Sequence, residues 1–284
     1  MEIINRRQRM FSISRKLRRE EKTVGFVPTM GSLHAGHLRL IEEARGRCDV
    51  VIVSIFVNPT QFNDRADLER YPRDLTADSA LLAEYDVDYI FAPESHEIYP
   101  DGFSTYVDVE GLTDGQEGMA RPGHFRGVAT VVTILFNTVR ADMAFFGQKD
   151  AQQVAVIKRL TADLGFETEV VVIPTVREES GLAMSSRNAL LSHEEREKAA
   201  VIITALREAK RAFKHGERNT AKLAEIVREG IETEPLAKID YVAVVDRDSL
   251  QTIDKIGDDE ALICAAAHFG SVRLIDNVVL NRKQ

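Results

Sequence analysis

The chain of 284 residues carries 37 lysines and arginines against 45 aspartates and glutamates, which gives a formal net charge of −8. This length is typical of about two domains, and the shares of hydrophobic (44%) and charged (29%) residues indicate a folded globular protein. Because a nucleic acid binds to a positive surface, the acidic balance argues against nucleic acid as a partner. It leaves open a local basic pocket for a small anion.

The two cysteines and the short apolar runs favour a reducing, cytoplasmic compartment for this protein. Cys48 and Cys264 are too far apart to form a zinc site of their own or a disulfide framework. Each lies next to an apolar run, which favours a buried thiol in a reducing, cytoplasmic environment. The longest apolar runs, at 50–57 and 128–136, are much shorter than the roughly 20 residues of a membrane span, so we expect no membrane association.

The first 22 residues are basic, with eight lysines and arginines against three glutamates. A transit peptide would be rich in arginine and poor in acidic residues. A surface helix would instead turn Phe11, Ile13 and Leu17 towards the protein. We favour the helix, because a short buried strand follows it at once.

Strand and helix patterns alternate through the first part of the chain. The run at 50–57 is continuous and β-branched, which is typical of a strand buried on both faces of a parallel sheet. The alternation predicts an α/β fold with a doubly wound, Rossmann-like parallel sheet. The predicted elements are strands at 23–27, 50–57, 88–91, 143–146 and 170–173, and helices at 36–45, 76–85, 125–139 and 151–163.

The pattern changes after about residue 176, and seven of the eight prolines precede that point. Residues 192–234 carry nine acidic and nine basic residues with helical periodicity, which predicts solvated helix faces. Short strands then follow at 241–245, 261–266 and 272–276. We therefore expect a nucleotide-binding domain over 1–176 and a smaller α+β C-terminal domain over 177–284.

The turn between the strand at 23–27 and the helix at 36–45 carries candidate phosphate-binding groups. Its glycines permit a sharp turn and close approach to a ligand, and the start of the helix offers N–H groups and a positive dipole end. His34 and His37 are three residues apart, so both imidazoles can face one phosphoryl group. Two alternatives are histidines that cap the helix and a metal-binding pair, for which no third ligand is near in sequence. We favour nucleotide binding.

Three further segments offer polar groups at predicted strand ends or in a loop. Gln61 follows the strand at 50–57, where a doubly wound fold binds ligands, although a lone glutamine also commonly caps a turn. Lys149 suits phosphate oxygens, and Asp150 suits ribose hydroxyls or the helix N-cap. The Ser-Ser-Arg sequence at 185–187 suits phosphates but is equally compatible with a plain turn.

Five segments, taken together and in order, resemble the pantoate–β-alanine ligase family of the nucleotidyltransferases with a HIGH-type signature. They are VPTMGSLHAGH from Val27, NPTQF from Asn58, RPGHF from Arg121, FGQKDAQQ from Phe146 and GLAMSSRN from Gly181. The resemblance covers nearly the whole chain. The sequence departs from the family pattern at Gln148, where an acidic residue is usual, and at Ala151, where an aromatic residue is usual.

The resemblance implies an ATP-dependent ligase that condenses (R)-pantoate with β-alanine to pantothenate. The reaction would pass through a pantoyl adenylate and release AMP and pyrophosphate. The resemblance also implies Mg²⁺ beside the substrate ATP and a homodimer formed through the larger domain. Because a mixed anhydride is sensitive to water, we expect a lid that excludes water, formed by the loop around 181–188 and the C-terminal domain.

The resemblance also assigns residues to the site. Gln61 and Gln153 would contact pantoate, with β-alanine entering beside Gln61, and Asp78 matches a position near Mg²⁺, although most such aspartates are only solvated. His124 would order the pocket or simply pack. The residues implied for ATP are Met30, Gly31, Ser32, Leu33, His34, Ala35, Gly36, His37, Gly147, Gln148, Lys149, Asp150, Val176, Met184, Ser185, Ser186 and Arg187. Those implied for catalysis are His34, His37, Lys149, Ser185, Ser186 and Arg187, with His37 as proton donor to the leaving pyrophosphate.

Two other functions compete with this one. A different nucleotidyltransferase, one that makes a dinucleotide or activates a phosphate ester, would explain the histidine turn but not the NPTQF and KDAQQ segments. A non-catalytic nucleotide-binding module would not need two histidines, a lysine and a Ser-Ser-Arg loop around one phosphate site.

Overall fold

A parallel sheet of six strands forms the larger part of the protein in the computed structural model, which describes residues 1–63, 65–257 and 260–281, with residues 65–67 described by their backbone alone. Its strands are β1 (Glu2–Ile4), β2 (Val24–Thr29), β3 (Val50–Ile55), β4 (Tyr89–Phe91), β5 (Met143–Gly147) and β6 (Glu169–Ile173). Their order across the sheet is β1-β4-β3-β2-β5-β6. This is the doubly wound α/β architecture that the sequence predicted.

The middle of this sheet is its most apolar part. In β3, every residue of VVIVSI except the last is buried. β3 pairs with β2 in parallel register from Val24 opposite Val50 to Thr29 opposite Ile55. A sheet that is covered on both faces needs such continuous apolar strands, because neither face meets water.

Helices cover both faces of the sheet. Buried side chains of α1, α7 and α8 form one apolar cluster with Phe26 and Ile52, and those of α2 and α4 form another with Val27 and Val53. Neighbouring strand residues thus point to opposite clusters, as the period of a strand requires. The helices that begin before residue 176 are α1 (Arg7–Arg19), α2 (Ala35–Arg47), α3 (Arg65–Arg70), α4 (Leu75–Ala83), α5 (Ser95–Ile98), α6 (Gln116–Ala120), α7 (His124–Val139) and α8 (Ala151–Asp163).

The C-terminal part is a three-stranded antiparallel sheet with helices, as predicted. Its elements are α9 (His193–Lys198), α10 (Val201–Lys214), α11 (Thr220–Glu232), β7 (Ala237–Asp246), β8 (Ala261–Phe269) and β9 (Val272–Leu280). One face of this sheet packs on α10 and α11. From the other face, Leu262 and Cys264 join the apolar cluster of the large sheet. The second sheet is therefore fixed to the first by buried apolar contacts.

The N-terminal segment differs in part from its prediction. The helix is present as α1, and Ile13 and Leu17 are buried as expected, but Phe11 is only half-buried beneath the Arg7 and Arg140 guanidinium groups. The sequence did not predict β1, which adds three residues to the edge of the large sheet by pairing with β4. A strand this short has no alternation that a pattern can detect.

Both cysteines are buried and free, which confirms the packing interpretation. Of the helices in the described part of the chain, not one has both the length and the apolar character that crossing a membrane requires.

Candidate active site

The predicted site residues meet at a cavity beside the carboxyl ends of β2, β3 and β5. The chain passes from β2 to β3 and β4 on one side and then crosses to β5 on the other, so this is the point where a doubly wound sheet binds ligands. The predicted residues in the lining are Met30, His34, Gly36, His37, Gln61, Gly147, Lys149, Asp150, Gln153, Val176, Met184, Ser185, Ser186 and Arg187. Those outside it are Gly31, Ser32, Leu33, Ala35, Asp78 and Gln148.

The two histidines cap α2 and also face the cavity. The Gly36 amide donates to His34 Nδ1 at 3.1 Å, and the His34 amide donates to His37 Nδ1 at 3.4 Å. A backbone N–H can only donate, so both Nδ1 atoms are acceptors and the proton of each neutral ring lies on Nε2. The capping and ligand interpretations are therefore compatible. Gly36 N–H, however, is engaged within the turn.

Both imidazoles are neutral near pH 7. Burial, with the Lys149 charge, lowers the pKa of His34 to about 4. Burial, with His34 beside it, lowers the pKa of His37 to about 3, and the two ring centroids are 4.1 Å apart. A neutral imidazole can donate a hydrogen bond from Nε2 to a phosphoryl oxygen. It is a weak acid, so this geometry does not favour His37 as a proton donor.

Asp78 organises the turn that precedes the histidines. Its two carboxylate oxygens accept the amides of Ser32 and Leu33, both at 2.9 Å, and the side chain is buried. These two amides therefore hold the turn against Asp78, which explains why Ser32 and Leu33 lie outside the cavity lining. Both oxygens are engaged, and the described residues contain no group of three or more His, Cys, Asp or Glu side chains that could hold a metal. These contacts give Asp78 a role in the turn, and its position near Mg²⁺ stays a prediction.

Lys149 and Asp150 form an ion pair at the start of α8. Lys149 Nζ lies 3.2 Å from Asp150 Oδ1. Burial would raise the pKa of the Asp150 carboxyl, but the charge and hydrogen bond of Lys149 hold it below the usual value. Asp150 occupies the N-cap position of α8 without a side-chain capping bond, so its carboxylate pairs with Lys149 instead of capping the helix.

A loop after β6 brings the Ser-Ser-Arg segment over the cavity. The Met184 amide donates to the Val176 carbonyl at 3.0 Å, which closes the loop at its base. Ser185 Oγ accepts the Arg187 amide at 3.3 Å and caps a short 3-10 helix over Ser186–Leu190. The turn interpretation is thus confirmed, and the same turn places Ser185, Ser186 and Arg187 in the cavity lining.

The Gln61 side chain is held in one orientation. Asn58 Nδ2 donates to Gln61 Oε1 at 3.0 Å and to the Gly127 carbonyl at 3.1 Å, while Gln61 Nε2 contacts Met30 Sδ at 2.9 Å. Gln61 is buried, so its amide is a fixed hydrogen-bonding group in the cavity wall. Gln153 lines the same cavity.

His124 orders this part of the pocket. Its Nε2 lies 3.3 Å from an Arg121 nitrogen, which can only donate, so Nδ1 carries the proton and donates to the Gln61 carbonyl at 2.9 Å. Burial, with the Arg121 charge, lowers the pKa of His124 to about 4. Of the two roles considered for His124, the contacts favour ordering the pocket.

The lining also contains residues that the sequence did not single out. Tyr71 lines the cavity and hydrogen-bonds Ser186, and burial raises the pKa of its hydroxyl. Asn58 is buried and accepts a hydrogen bond from the Tyr99 hydroxyl at 2.7 Å. Asn58 lies within the NPTQF segment, so the family resemblance points to it, whereas no motif surrounds Tyr71.

The fold and the cavity define an α/β protein with neutral imidazoles, one lysine, two serines and two arginines at its switch point. A family model described as pantoate-beta-alanine ligase matches residues 2–279. A curated protein named pantothenate synthetase, from Pelotomaculum thermopropionicum, is 53% identical over 268 residues, 94% of this chain and 95% of that protein.

Two solved structures are also similar. Pantothenate synthetase from Thermus thermophilus has a TM-score of 0.91 and 45% identity, and the match covers 99% of this chain and 100% of that one. Pantoate-beta-alanine ligase from Francisella tularensis, described as complexed with beta-gamma ATP and beta-alanine, has a TM-score of 0.81 and 38% identity, covering 98% and 97%. The chain belongs to the pantoate-beta-alanine ligase family, which confirms the resemblance.

Proposed function

We propose that this chain is the enzyme that condenses (R)-pantoate with β-alanine to pantothenate at the expense of ATP. One observation carries the proposal: phosphate-binding groups at Lys149 and 185–187 line the same cavity as the amides of Gln61 and Gln153. The cavity thus offers groups that suit a triphosphate together with groups that suit a hydroxy acid. The family match and the ligands named for the Francisella protein support this choice of substrates.

The groups around the cavity divide by charge. Lys149 and Arg187 supply positive charge for the phosphate oxygens, and the two serine hydroxyls offer hydrogen bonds. His34 and His37 add neutral N–H donors, because their Nδ1 atoms accept backbone amides. The fixed amide of Gln61 would hold pantoate through its hydroxyl or carboxylate.

In the first step, the pantoate carboxylate attacks the α-phosphorus of ATP. A bond from the carboxylate oxygen to phosphorus forms, the bond from the α-phosphorus to the bridging oxygen breaks, and pyrophosphate leaves with the electron pair. The nucleophile arrives ionised, so the enzyme need not supply one. Catalysis then comes from positioning and from stabilising the charge that develops on the phosphate oxygens.

In the second step, the β-alanine amine attacks the acyl carbon of pantoyl adenylate. A carbon–nitrogen bond forms, AMP leaves as its phosphate oxygen takes the electron pair, and the amine loses a proton to solvent or buffer. Water would compete for the same mixed anhydride, so excluding water protects the intermediate. We expect the loop at 176–187 to contribute to this cover, together with a C-terminal domain over 177–284 beside the domain over 1–176.

We also propose Mg²⁺ as a cofactor, a cytoplasmic location and a homodimer. Mg²⁺ commonly binds through substrate phosphates with one or two carboxylates, so we assign it to ATP and derive no step from it. We also propose a cytoplasmic homodimer formed through the larger domain, on the family resemblance. Sedimentation of the purified chain tests the dimer directly.

Isotope exchange tests the function. With ATP, pantoate and labelled pyrophosphate, but without β-alanine, label should enter ATP, and the exchange should require pantoate. Adding β-alanine should produce AMP and pantothenate in equal amounts. ADP as the product, or exchange that does not depend on pantoate, would contradict the adenylate mechanism.

A companion variant tests the assignment of Lys149. We expect Lys149→Ala to lose exchange by about 100-fold or more, because a phosphate contact that strengthens in the transition state is removed. Its thermal unfolding midpoint should stay near that of the unmodified protein, because the ion pair of Lys149 is with the partly exposed Asp150 carboxylate, which water can solvate. A near-normal rate would remove Lys149 from the site.

A further inference from the structure

We propose that Asn277, in the C-terminal sheet, is a positioning residue for Lys149; this inference rests on the proposed function. Asn277 Nδ2 donates to the backbone carbonyls of Gln148 and Lys149, both at 3.0 Å. Its Oδ1 accepts the Gln148 side-chain amide at 3.0 Å. One side chain from β9 thus holds the turn that carries the phosphate-binding lysine.

The orientation of the Asn277 amide follows from its partners. Carbonyl oxygens can only accept, so the nitrogen of Asn277 must face them, and its oxygen then faces the Gln148 amide. Asn277 is 5% exposed. Because water has little access, losing these bonds would leave backbone carbonyls without a ready replacement donor.

The turn that Asn277 contacts is short and has no side-chain cap of its own. Residues Gln148–Asp150 form a single 3-10 turn, and its N-cap residue, Gly147, has no side chain to cap it. The Asp150 carboxylate, at the N-cap of α8, contacts Lys149 Nζ and not the helix amides. The side-chain contacts that hold the Lys149 backbone against the C-terminal sheet therefore come from Asn277.

The strand that carries Asn277 is itself anchored to the large sheet. Arg273, four residues earlier on the same face of β9, pairs with both oxygens of Glu117 in α6 at 2.8 Å. The Tyr241 hydroxyl donates to the same carboxylate at 3.0 Å. Asn277 is thus presented from a strand that cannot move easily relative to α6.

The adjacent residue of β9 reaches the other phosphate-binding segment. Asp276 accepts two bonds from the Arg177 guanidinium, at 2.6 and 3.0 Å, and Arg177 also donates to the Gly181 carbonyl at 3.1 Å. Arg177 follows Val176 at the base of the loop that carries the Ser-Ser-Arg segment. Asp276 and Asn277 therefore bind both phosphate-binding segments to the same strand, β9. Of the two, Asn277 sets the position of Lys149.

Two substitutions at Asn277 test this role. Asn277→Leu has a similar volume and removes both donors and the acceptor. Asn277→Asp keeps the shape and the acceptor for Gln148, but a carboxylate cannot donate to the two carbonyls, so it carries the test if the leucine variant unfolds below the assay temperature. We expect either variant to lower kcat of the pantoate-dependent pyrophosphate exchange by about 100-fold, as a misplaced catalytic group does.

The control is Asn219→Ala, which removes the side-chain cap of α11 in the same part of the chain. Asn219 Oδ1 accepts the Lys222 amide at 2.9 Å and lies outside the cavity lining. This variant should lose thermal stability but retain exchange within about threefold of the unmodified protein. It separates a general loss of stability from a displaced Lys149.

A double-mutant cycle with Lys149→Ala gives the decisive result. If Asn277 acts through Lys149, its substitution lowers kcat by less than about threefold once Lys149 is alanine. A folded Asn277 variant with near-normal kcat, or one whose full loss recurs in the Lys149→Ala background, would overturn the inference. Absence of pantoate-dependent exchange in the unmodified protein would instead contradict the proposed function. In that case, calorimetry would give the ATP dissociation constants of the unmodified protein, the two single variants and the double variant, and these would decide whether Asn277 acts through Lys149.

Discussion

The two segments that surround the proposed phosphate site are held in different ways. In the first turn (residues 29–37), histidine side chains of the turn cap two amides, and the buried carboxylate of Asp78, from α4, accepts two more. The second loop (residues 176–188) is held by ion pairs to the C-terminal part, through Arg177 to Asp276 and through Glu178 to Arg196. The first turn is thus held by hydrogen bonds to its own histidines and to one buried carboxylate, whereas the second loop is also held by ion pairs to the C-terminal part.

This difference assigns different tasks to the two segments. A turn whose amides and imidazoles are already paired needs no rearrangement when ligand arrives, and its Nε2 donors are aimed in advance. A loop held at its margins by ion pairs can shift while its backbone hydrogen bond at Val176 stays closed. The first turn therefore suits charge stabilisation, and the second loop suits closing over the bound nucleotide.

The largest effects should come from matched glycine substitutions in the two segments. Gly31, in the first turn, has φ of +82°, and an added Cβ would lie 2.8 Å from Asp78 Oδ2. Gly181, in the second loop, has φ of +96°, but its Cβ would lie 3.3 Å from a methyl group of Ile203, which can shift. We expect Gly31→Ala to cost about 3 kcal/mol in the free energy of unfolding and Gly181→Ala about 1 kcal/mol.

Urea unfolding and pyrophosphate exchange, measured on both variants, check this pair. Exchange should fall by about tenfold or more in Gly31→Ala, because the displaced turn carries both imidazoles. The Gly181→Ala protein controls for positive φ alone. Equal losses of stability in the two proteins would show that the contact with Asp78 is unimportant.

The sequence predicted the long periodic elements and the residues that resemble family motifs, but it could not reveal contacts between distant segments. The first turn follows from the strand, the glycines and the histidine spacing, all within about 15 residues. Tyr71 reaches the site from a part of the chain without a motif, and the family resemblance points to Asp78 but not to its bonds with the turn. Asn277 reaches it from a strand 129 residues beyond Gln148, and no local pattern records that pairing.

Smaller effects are expected from replacing the carboxylate that supports each segment by its amide. Asp78→Asn places an N–H₂ group opposite a backbone N–H and should cost about 2 kcal/mol in the free energy of unfolding. Glu178→Gln keeps the acceptor for Asn188 but places its N–H₂ group opposite Arg196 Nε. Because the Arg196 guanidinium is half-exposed and water can solvate it, only about 0.5 kcal/mol is expected. Chemical denaturation at pH 7 measures both, and a loss at Glu178 larger than at Asp78 would reverse the comparison.

The smallest effect is a pH dependence that belongs to the first turn. The pKa values of His34 (about 4) and His37 (about 3) are lower than the ordinary value of 6.5. Between these limits the unfolded chain binds protons that the folded protein does not, so stability falls as the pH decreases from about 6.5 towards 4. His34→Asn, which retains a good N-cap residue, should reduce the slope of unfolding free energy against pH by about one proton in this window.

Urea titrations at several pH values between 4 and 8 measure that slope. His193→Asn is the control, because His193 lies exposed on α9, away from the cavity, and its replacement should leave the slope as in the unmodified protein. Carboxylates add their own dependence in every variant, so the difference between proteins carries the result. An unchanged slope in His34→Asn would mean that this imidazole takes up its proton equally in the folded and unfolded chains, and the first turn would then not hold it neutral.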